Sequence, residues 1–315
     1  MTMNFENCDR RFGVEMEFNA FDGLSRSKTL NDLPDGIYDV GQQIKTILNK
    51  NVEITKWQYT NNNKNWHIKP DSSCGMEICS PPDRGQRGID NLKKVVDGLA
   101  LVSKLSSDHR CSFHVHVEIA DFSEKQIVYM ITRWINFELF FYFLTNPLRW
   151  LNQYCIPLGF SSEFSTDTSY HFPSLLQKLS DTKYHSINLY HYAKNKKKTI
   201  EFRVMGSEGC RNSEDAINWC KLLLCFVERC KSHEGISEAR LFYDELTNAV
   251  RFLNLVEFCK KDNEIIQWLI SKLSAVIDLG SLFIYDAQKS FWSEIFSNSQ
   301  EEIKNTIEKL ENCLG

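Results

Sequence analysis

At 315 residues and 36.8 kDa, with 42% hydrophobic and 25% charged residues, the chain can bury one large core or two modest ones, so disorder is not its expected state. A net charge of -4 and a pI near 6.1 leave no electrostatic footprint for general nucleic-acid binding. No apolar stretch reaches the ~20 residues of a membrane span, and eleven cysteines with no CxxC pair, zinc-ribbon spacing or leader before Cys8 read as reduced thiols in a cytoplasmic protein.

The first strand is expected in "RFGVEMEFNA" (11 to 20), where Val14, Met16 and Phe18 alternate with Gly13, Glu15, Glu17 and Asn19. A helix is expected around 36 to 49. Then "VEITKWQYT" and "NWHIKPD" read as a hairpin, because the intervening "NNNK" suits a turn. The next strand, "CGMEICSPP" (74 to 82), follows through "DSS", which puts Asp71 at the turn and Glu77 on one face with Gly75 and Cys79; the double proline ends it. A helix over 86 to 106 leads into "CSFHVHVEIA" (111 to 120). There Phe113, Val115, Val117 and Ile119 take one face and Ser112, His114, His116 and Glu118 the other. Two imidazoles at i and i+2 can bind a metal, hold a phosphate or sit at a wet surface, and the pair alone does not choose.

A long helix is expected from about 123, opened by the capping-box pattern Asp121 to Glu124. Beyond a less regular region (146 to 182), the last strands are "YHSINLYHY" and "KTIEFRVMG", joined by the solvated turn "KNKKK". In the second, Ile200, Phe202 and Val204 alternate with Thr199, Glu201, Arg203 and Met205. A helix over 213 to 232 follows, and 236 to 315 reads as helical, most clearly in "DNEIIQWLISKLSAVI"; "SLFIYDAQKSFWSEIF" reads as core packing. Cys220, Cys225 and Cys230 each turn about 140° from the last along a helix and form no common ligand face.

Four strands repeat one design, with apolar residues on one side and Glu15, Glu17, Glu77, His114, His116, Glu201 and Arg203 on the other. In a single antiparallel sheet of an α+β fold, the intervening helices cover the apolar side and the other side gathers carboxylates and imidazoles. Clustered carboxylates repel and raise each other's pKa unless cations screen them. A mainly oxygen donor set suits Mg²⁺ or Mn²⁺ better than Zn²⁺. Arg203 beside Glu201 fits a phosphoryl group, and Lys69 adds a second positive charge. Cys74 and Cys79 flank Glu77 and read as structural thiols. No GxSxG, HExxH or Walker GxxxxGK[ST] motif is present.

The ordered set "RFGVEMEF", "KPDSSCGMEICSPP", "CSFHVHV" and "YHSINLYHYAKNKKKTIEFRVMGSEG", about residues 11 to 230, resembles the amidoligases of the carboxylate-amine ligase superfamily, which also holds glutamine synthetase and glutamate-cysteine ligase. The resemblance implies an antiparallel sheet curved into a half-funnel, helices on its convex face, and ATP with two or more Mg²⁺ or Mn²⁺ ions on the concave one. It implies a catalytic domain over 1–235 and places the helices of 236–315 outside as an extension. By the same resemblance, Glu15, Glu17, Glu77 and Glu201 are metal ligands, and one of His114 and His116 meets a metal or a phosphate. Arg203 steadies the transferred phosphoryl, and Asp71 touches the amine or a metal. The family's usual "GLHVHV" reads "SFHVHV" here and its "DGS" reads "DSS"; neither change removes a charge.

The implied activity joins a carboxylate-bearing small molecule or peptide to an amine through an acyl-phosphate, with no nucleic acid or membrane as partner. Two other readings use the same cluster: a metal-dependent hydrolase with a bound hydroxide, and a non-catalytic binding module. Arg149, Tyr154, Tyr184 and Asn188 are further pocket candidates.

Overall fold

Strand β1 (Arg11–Asn19) lies inside an eight-stranded sheet because its apolar residues are buried on one side while both of its edges are paired. The computed structural model describes residues 8–19, 42–47, 49, 52–54, 64–71, 73–102, 105–150, 152–160, 171–232, 262–279 and 287–314. The chain divides into two compact units. A sheet unit comprises Phe5–Ile119 and Ile187–Cys220, and a helical unit comprises Met1–Asn4, Ala120–Ser186 and Lys221–Gly315.

In the sheet unit, β2 (Val52–Ile54), β3 (Trp66–Asp71), β4 (Gly75–Cys79), β5 (Asp83–Arg84), β6 (Phe113–Glu118), β7 (Ile187–Asn188) and β8 (Thr199–Phe202) join β1. The order is β2-β3-β4-β1-β6-β8-β7, with β5 pairing the start of β1. All pairings are antiparallel except β2 with β3. The hairpin expected between those two is therefore corrected: Val52 lies opposite Trp66 in parallel register. Parallel neighbours need a crossover of about a dozen residues rather than a turn.

The β3–β4 connection is a tight turn, as its sequence requires. Asp71 Oδ1 accepts from the backbone of Ser73 at 2.7 Å and of Cys74 at 3.2 Å, and from the Ser73 hydroxyl. Gly75 then takes φ 115°, open to glycine at no steric cost. The strand expected in "YHSINLYHY" is also corrected. Within the sheet only Ile187 and Asn188 pair, opposite Phe202 and Glu201, after which Asn188 Oδ1 accepts from the Tyr190 amide at 3.2 Å and the chain enters a helical turn, Tyr190–Ala193. The short side chain competes with the ladder for its own backbone.

On the apolar side Val14, Met16, Phe18, Ile68, Met76, Ile78, Phe113, Val115, Val117, Ile200 and Phe202 are buried, each worth roughly 1.5–3 kcal/mol of transfer free energy. Helix α1 (Gly85–Ala100) turns its buried stripe of Ile89, Leu92, Val95, Val96 and Leu99 inward. It meets β1 where Gly88 abuts the Phe12 ring. The short helix Glu208–Arg211 packs Gly209 against Phe113 and Met205. The helix expected over 36 to 49 is seen as helical residues 42–47.

In the helical unit, helix α2 (Glu124–Phe143) begins two residues later than the Asp121 pattern predicts. Ser123 is the N-cap: its hydroxyl accepts from the Gln126 amide, and its own amide donates to Gln126 Oε1 at 3.0 Å. Both tetrads satisfy the capping-box rule, and the burial of Ile127, Met130, Ile131 and Trp134 selects the second. Trp134 stacks on Phe141 at 4.3 Å and meets Phe226 edge-on. Helix α3 is Phe172–Asp181, and α4 (Ser213–Lys231) is shared between the units at Cys220 and Lys221. Of the helical segment expected over 236 to 315, α5 (Asn263–Leu279) and α6 (Ala287–Leu314) are described; residues 233–261 and 280–286, and the side chains of "SLFIYDAQKSFWSEIF", lie outside the described residues. Among the described residues no helix is long and apolar enough to cross a membrane, and all ten described cysteines are free thiols.

Candidate functional site

The register sets the polar face out in rows. In the first, Asn188, Glu201, His116 and Gly13 lie side by side across β7, β8, β6 and β1. In the second, His114 on β6, Glu15 on β1 and Cys79 on β4 are successive neighbours. In the third, Glu17 faces Glu77, which faces Lys69 on β3. Glu15, Glu17, Lys69, Asp71, Glu77, His114, His116 and Glu201 thus fall on one face of one sheet, because period-two alternation holds on β1, β3, β4, β6 and β8 alike, and Arg203, just past the end of β8, joins them by pairing with Glu201.

Most of this face is shielded from solvent, with Glu15 and Lys69 half-buried, 17% and 16% of their side-chain area exposed. Glu17, Glu77 and Glu201 are each 6% exposed, His114 2%, and His116 and Arg203 8%. Four carboxylates in so dry a setting need positive charge, and the sheet supplies it. His116 Nε2 is 3.0 Å from Glu15 Oε1, Lys69 Nζ is 3.0 Å from Glu77 Oε1, and Arg203 pairs with Glu201. Arg203 Nη1 also lies 3.5 Å from His114 Nδ1, which is in turn 3.5 Å from Glu201 and 3.7 Å from Glu15.

The two histidines are driven in opposite directions. Burial, and after it the neighbouring Arg203 charge, lowers His114 to about 4, so its ring is neutral at physiological pH. Burial also opposes the charged form of His116, but Glu15 and Glu201 outweigh it and raise its pKa. Their acids follow suit. Against burial, His116, 3.0 Å away, together with the nearby His114 ring holds Glu15 well below the carboxylate range, and Arg203 and His116 pull Glu201 down. Glu77 goes the other way, to about 8, through burial and the nearby Glu15 charge.

Three donor clusters have atoms within 4.8 Å of one another: Glu15, His116 and Glu201; Glu15, Glu77 and Cys79; and Glu17, Asp71 and Cys74. His114 Nε2 is a buried nitrogen without a hydrogen-bond partner among the described residues. The first set, two carboxylates and one imidazole, is the one whose donors fit a Mg²⁺- or Mn²⁺-class ion, while the other two each add a thiol to two carboxylates. Asp71 sits at the rim of the face, committed to its turn by Ser73 and Cys74.

Three residues matter more than their sequence context conveys. Asn188 donates to Glu201 Oε2 at 2.7 Å, completing the row. Cys79 donates to Glu77 Oε1 at 2.9 Å. His191, on the turn after β7, brings its ring centroid to 6.4 Å from His116. Asn188 was signalled by its place beside a strand; His191 had no signal, because a helical turn rather than a strand carries it. Lys197 of the lysine-rich turn acts on both His116 and His191. Of the other pocket candidates, Arg149, Tyr154 and Tyr184 belong to the helical unit, where Arg149 is buried and the two tyrosine rings pack 5.3 Å apart.

The solved structures similar to this chain include two ligases. Glutamate–cysteine ligase from Francisella tularensis, in complex with AMP, is 11% identical with a TM-score of 0.49, over 99% of this chain and 93% of that one. A bifunctional glutathione synthetase from Pasteurella multocida is 10% identical with a TM-score of 0.46, over 98% of this chain; the match spans 53% of that longer chain. No curated protein matches. A family model described as "Putative amidoligase enzyme" matches residues 8–227, more than half of the chain and the whole polar face. The chain therefore belongs to the amidoligase family.

Proposed function

We propose that the protein is an ATP-dependent carboxylate-amine ligase, on a glutamine-synthetase-like half-funnel, with its catalytic part in 1–235 and an extension in 236–315. One observation carries the reading: Glu15, Glu17, Glu77 and Glu201 share a single dry sheet face with His114, His116, Lys69 and Arg203. Such a face pairs anionic donors for cations with fixed positive groups for phosphate. Membership of the amidoligase family supports the same chemistry.

In this reading a substrate carboxylate oxygen attacks the γ-phosphorus of ATP, the bond to the β–γ bridging oxygen breaks, and ADP leaves. The amine nitrogen then attacks the acyl carbon, phosphate departs with the former carboxylate oxygen, and the nitrogen loses a proton to a carboxylate. Arg203, fixed by Glu201, is placed to meet charge developing on the transferred phosphoryl. Lys69 and the two histidines meet the remaining phosphate oxygens, and Asp71 at the rim takes the amine proton. The protein's contribution is positioning and electrostatics, with no side-chain nucleophile. Mg²⁺ or Mn²⁺, held by Glu15, Glu17, Glu77, His116 and Glu201, would neutralise polyphosphate charge.

Incubation with ATP, Mg²⁺ and pools of amino acids or peptides should release ADP and yield a product whose mass is that of the joined pair less one water. Glu15→Gln and Glu201→Gln should abolish ADP release with the circular dichroism unchanged; turnover retained in both overturns the assignment. A bound transition metal with no affinity for ATP would point to hydrolysis instead, with Glu15, His116 and Glu201 as the ligands.

A further inference from the structure

The turn that joins β7 to β8 is shaped by its own backbone. The Ala193 amide donates to the Leu189 carbonyl at 2.8 Å and the Lys194 amide to that of Tyr190 at 3.1 Å. Asn195 takes a left-handed φ of 54°, which its short polar side chain tolerates. The chain then folds back, so that the amides of Lys196 and Lys197 both donate to the His191 carbonyl, at 2.9 and 3.3 Å. The Lys198 carbonyl accepts from the Ile119 amide at 2.8 Å, which ties the turn to the end of β6. Lys194 Nζ lies over the Tyr190 ring, 5.9 Å from its centroid, and Lys198 Nζ over Tyr192 at 4.5 Å. Lys197 instead acts on the imidazoles of His116 and His191, whose ring centroids are 6.4 Å apart. Burial, and after it the charges of His116 and Lys197, lower His191 to about 4 against the pull of Glu201 and Glu15, so positive charge prevails around this ring. An independent observation comes from β8. Thr199, on the same face as Glu201 by strand alternation, has a buried hydroxyl oxygen with no hydrogen-bond partner among the described residues. A buried polar atom left in that state calls for a partner from outside the protein.

We infer that His191, Lys197 and Thr199 form a phosphate subsite at this end of the polar face, which holds the nucleotide's phosphates beyond the first. The inference rests on the ligase reading and adds three residues that reading does not use. Each suits a phosphate oxygen. The imidazole N–H and the threonine hydroxyl donate, and the exposed Lys197 brings a point charge on a flexible stem. The backbone bonds of the turn keep His191 and Lys197 together, so one ligand group can meet both. Phosphate rather than carboxylate is the anion because the adjoining cluster of Glu15, His116 and Glu201 is where the ligase reading puts a cation. A divalent ion of that class bridges the outer phosphates of a nucleoside triphosphate. The lysine-rich turn is thus part of the site rather than a solvated tip.

The test titrates the full-length protein, in Mg²⁺, with the β,γ-imido analogue of ATP by calorimetry, and measures AMP by displacement of that analogue. His191→Ala and Lys197→Ala should each weaken the analogue at least about fivefold, and Thr199→Val at least about threefold, while AMP affinity changes less than about twofold. Lys197→Arg should keep the analogue within about twofold of the wild type. Lys196→Ala, which removes the same charge from the exposed neighbour, should do so as well. His191→Phe, which keeps a ring and loses the N–H, replaces the alanine variant if that one loses its native circular dichroism. An unchanged analogue affinity in any of the three variants overturns the proposal, as does an equal loss for AMP or an equal effect of Lys196→Ala. A wild type that binds no analogue overturns the ligase reading beneath it.

Discussion

Glu138, buried in α2, offers a quantitative test of how burial competes with hydrogen bonding in the helical unit. Its carboxylate accepts from the backbone amides of Leu158 and Gly159, both at 2.8 Å, from Trp134 Nε1 at 3.2 Å and from the Ser186 hydroxyl. Four donors favour the ionised form, yet burial prevails and raises the pKa from 4.5 to about 7. At 1.36 kcal/mol for each tenfold, that displacement is worth about 3 kcal/mol. Because the folded-state value is raised, the contribution is fully present below pH 4.5, declines as pH rises, and is lost once pH has passed through 7. Glu138→Gln keeps the shape and cannot ionise. Urea denaturation of both proteins between pH 4 and pH 8, followed by tryptophan fluorescence, should show wild-type stability falling relative to the variant by about 3 kcal/mol. A constant difference, or one that grows in favour of the wild type as pH rises, would refute the argument by showing that the four donors outweigh desolvation.

Asn188→Ala removes the 2.7 Å hydrogen bond to Glu201; a bond to a charged group is worth about 1.5–3 kcal/mol, so ligase turnover should fall roughly 10- to 100-fold with the fold intact. Steady-state ADP release against a circular-dichroism control checks this, and unchanged turnover would remove Asn188 from the site. Gly209→Ala puts a methyl carbon 2.7 Å from Phe113 Cγ and 2.8 Å from Met205 Cγ, and the forced repacking should destabilise by about 1–3 kcal/mol in chemical denaturation. Ser123→Ala breaks the capping box of α2 and should lose about 1 kcal/mol, whereas Glu124→Gln, outside the box, should change stability by less than about 0.5 kcal/mol.

How much of the site was legible depended on the range of the interaction involved. Alternation on β1, β4, β6 and β8 placed Glu15, Glu17, Glu77, His114, His116, Glu201 and Arg203 on a common side, because a strand's period of two follows from its own backbone geometry. The same alternation marked Val14, Met16, Phe18, Val115 and Phe202 as core. Where a local pattern admitted two answers, it misled. Asp121 and Ser123 both start valid capping boxes, and the "SINLYHY" run holds enough β-formers for a strand although Asn188 folds it into a turn.

Residue pattern by itself thus determined the composition of the two faces and the helical course of α1, α4 and α5. Only the tertiary structure decided that β1 runs between β4 and β6, so that Glu15 meets Cys79 on one side and His114 on the other. It also decided that β2 lies parallel to β3, and that the surroundings of two neighbouring histidines shift their pKa values in opposite directions. The physical reason is one of distance along the chain. Periodicity is written into successive residues, whereas strand order and burial arise from hydrogen bonds and packing between segments that lie far apart in sequence and have no local signature.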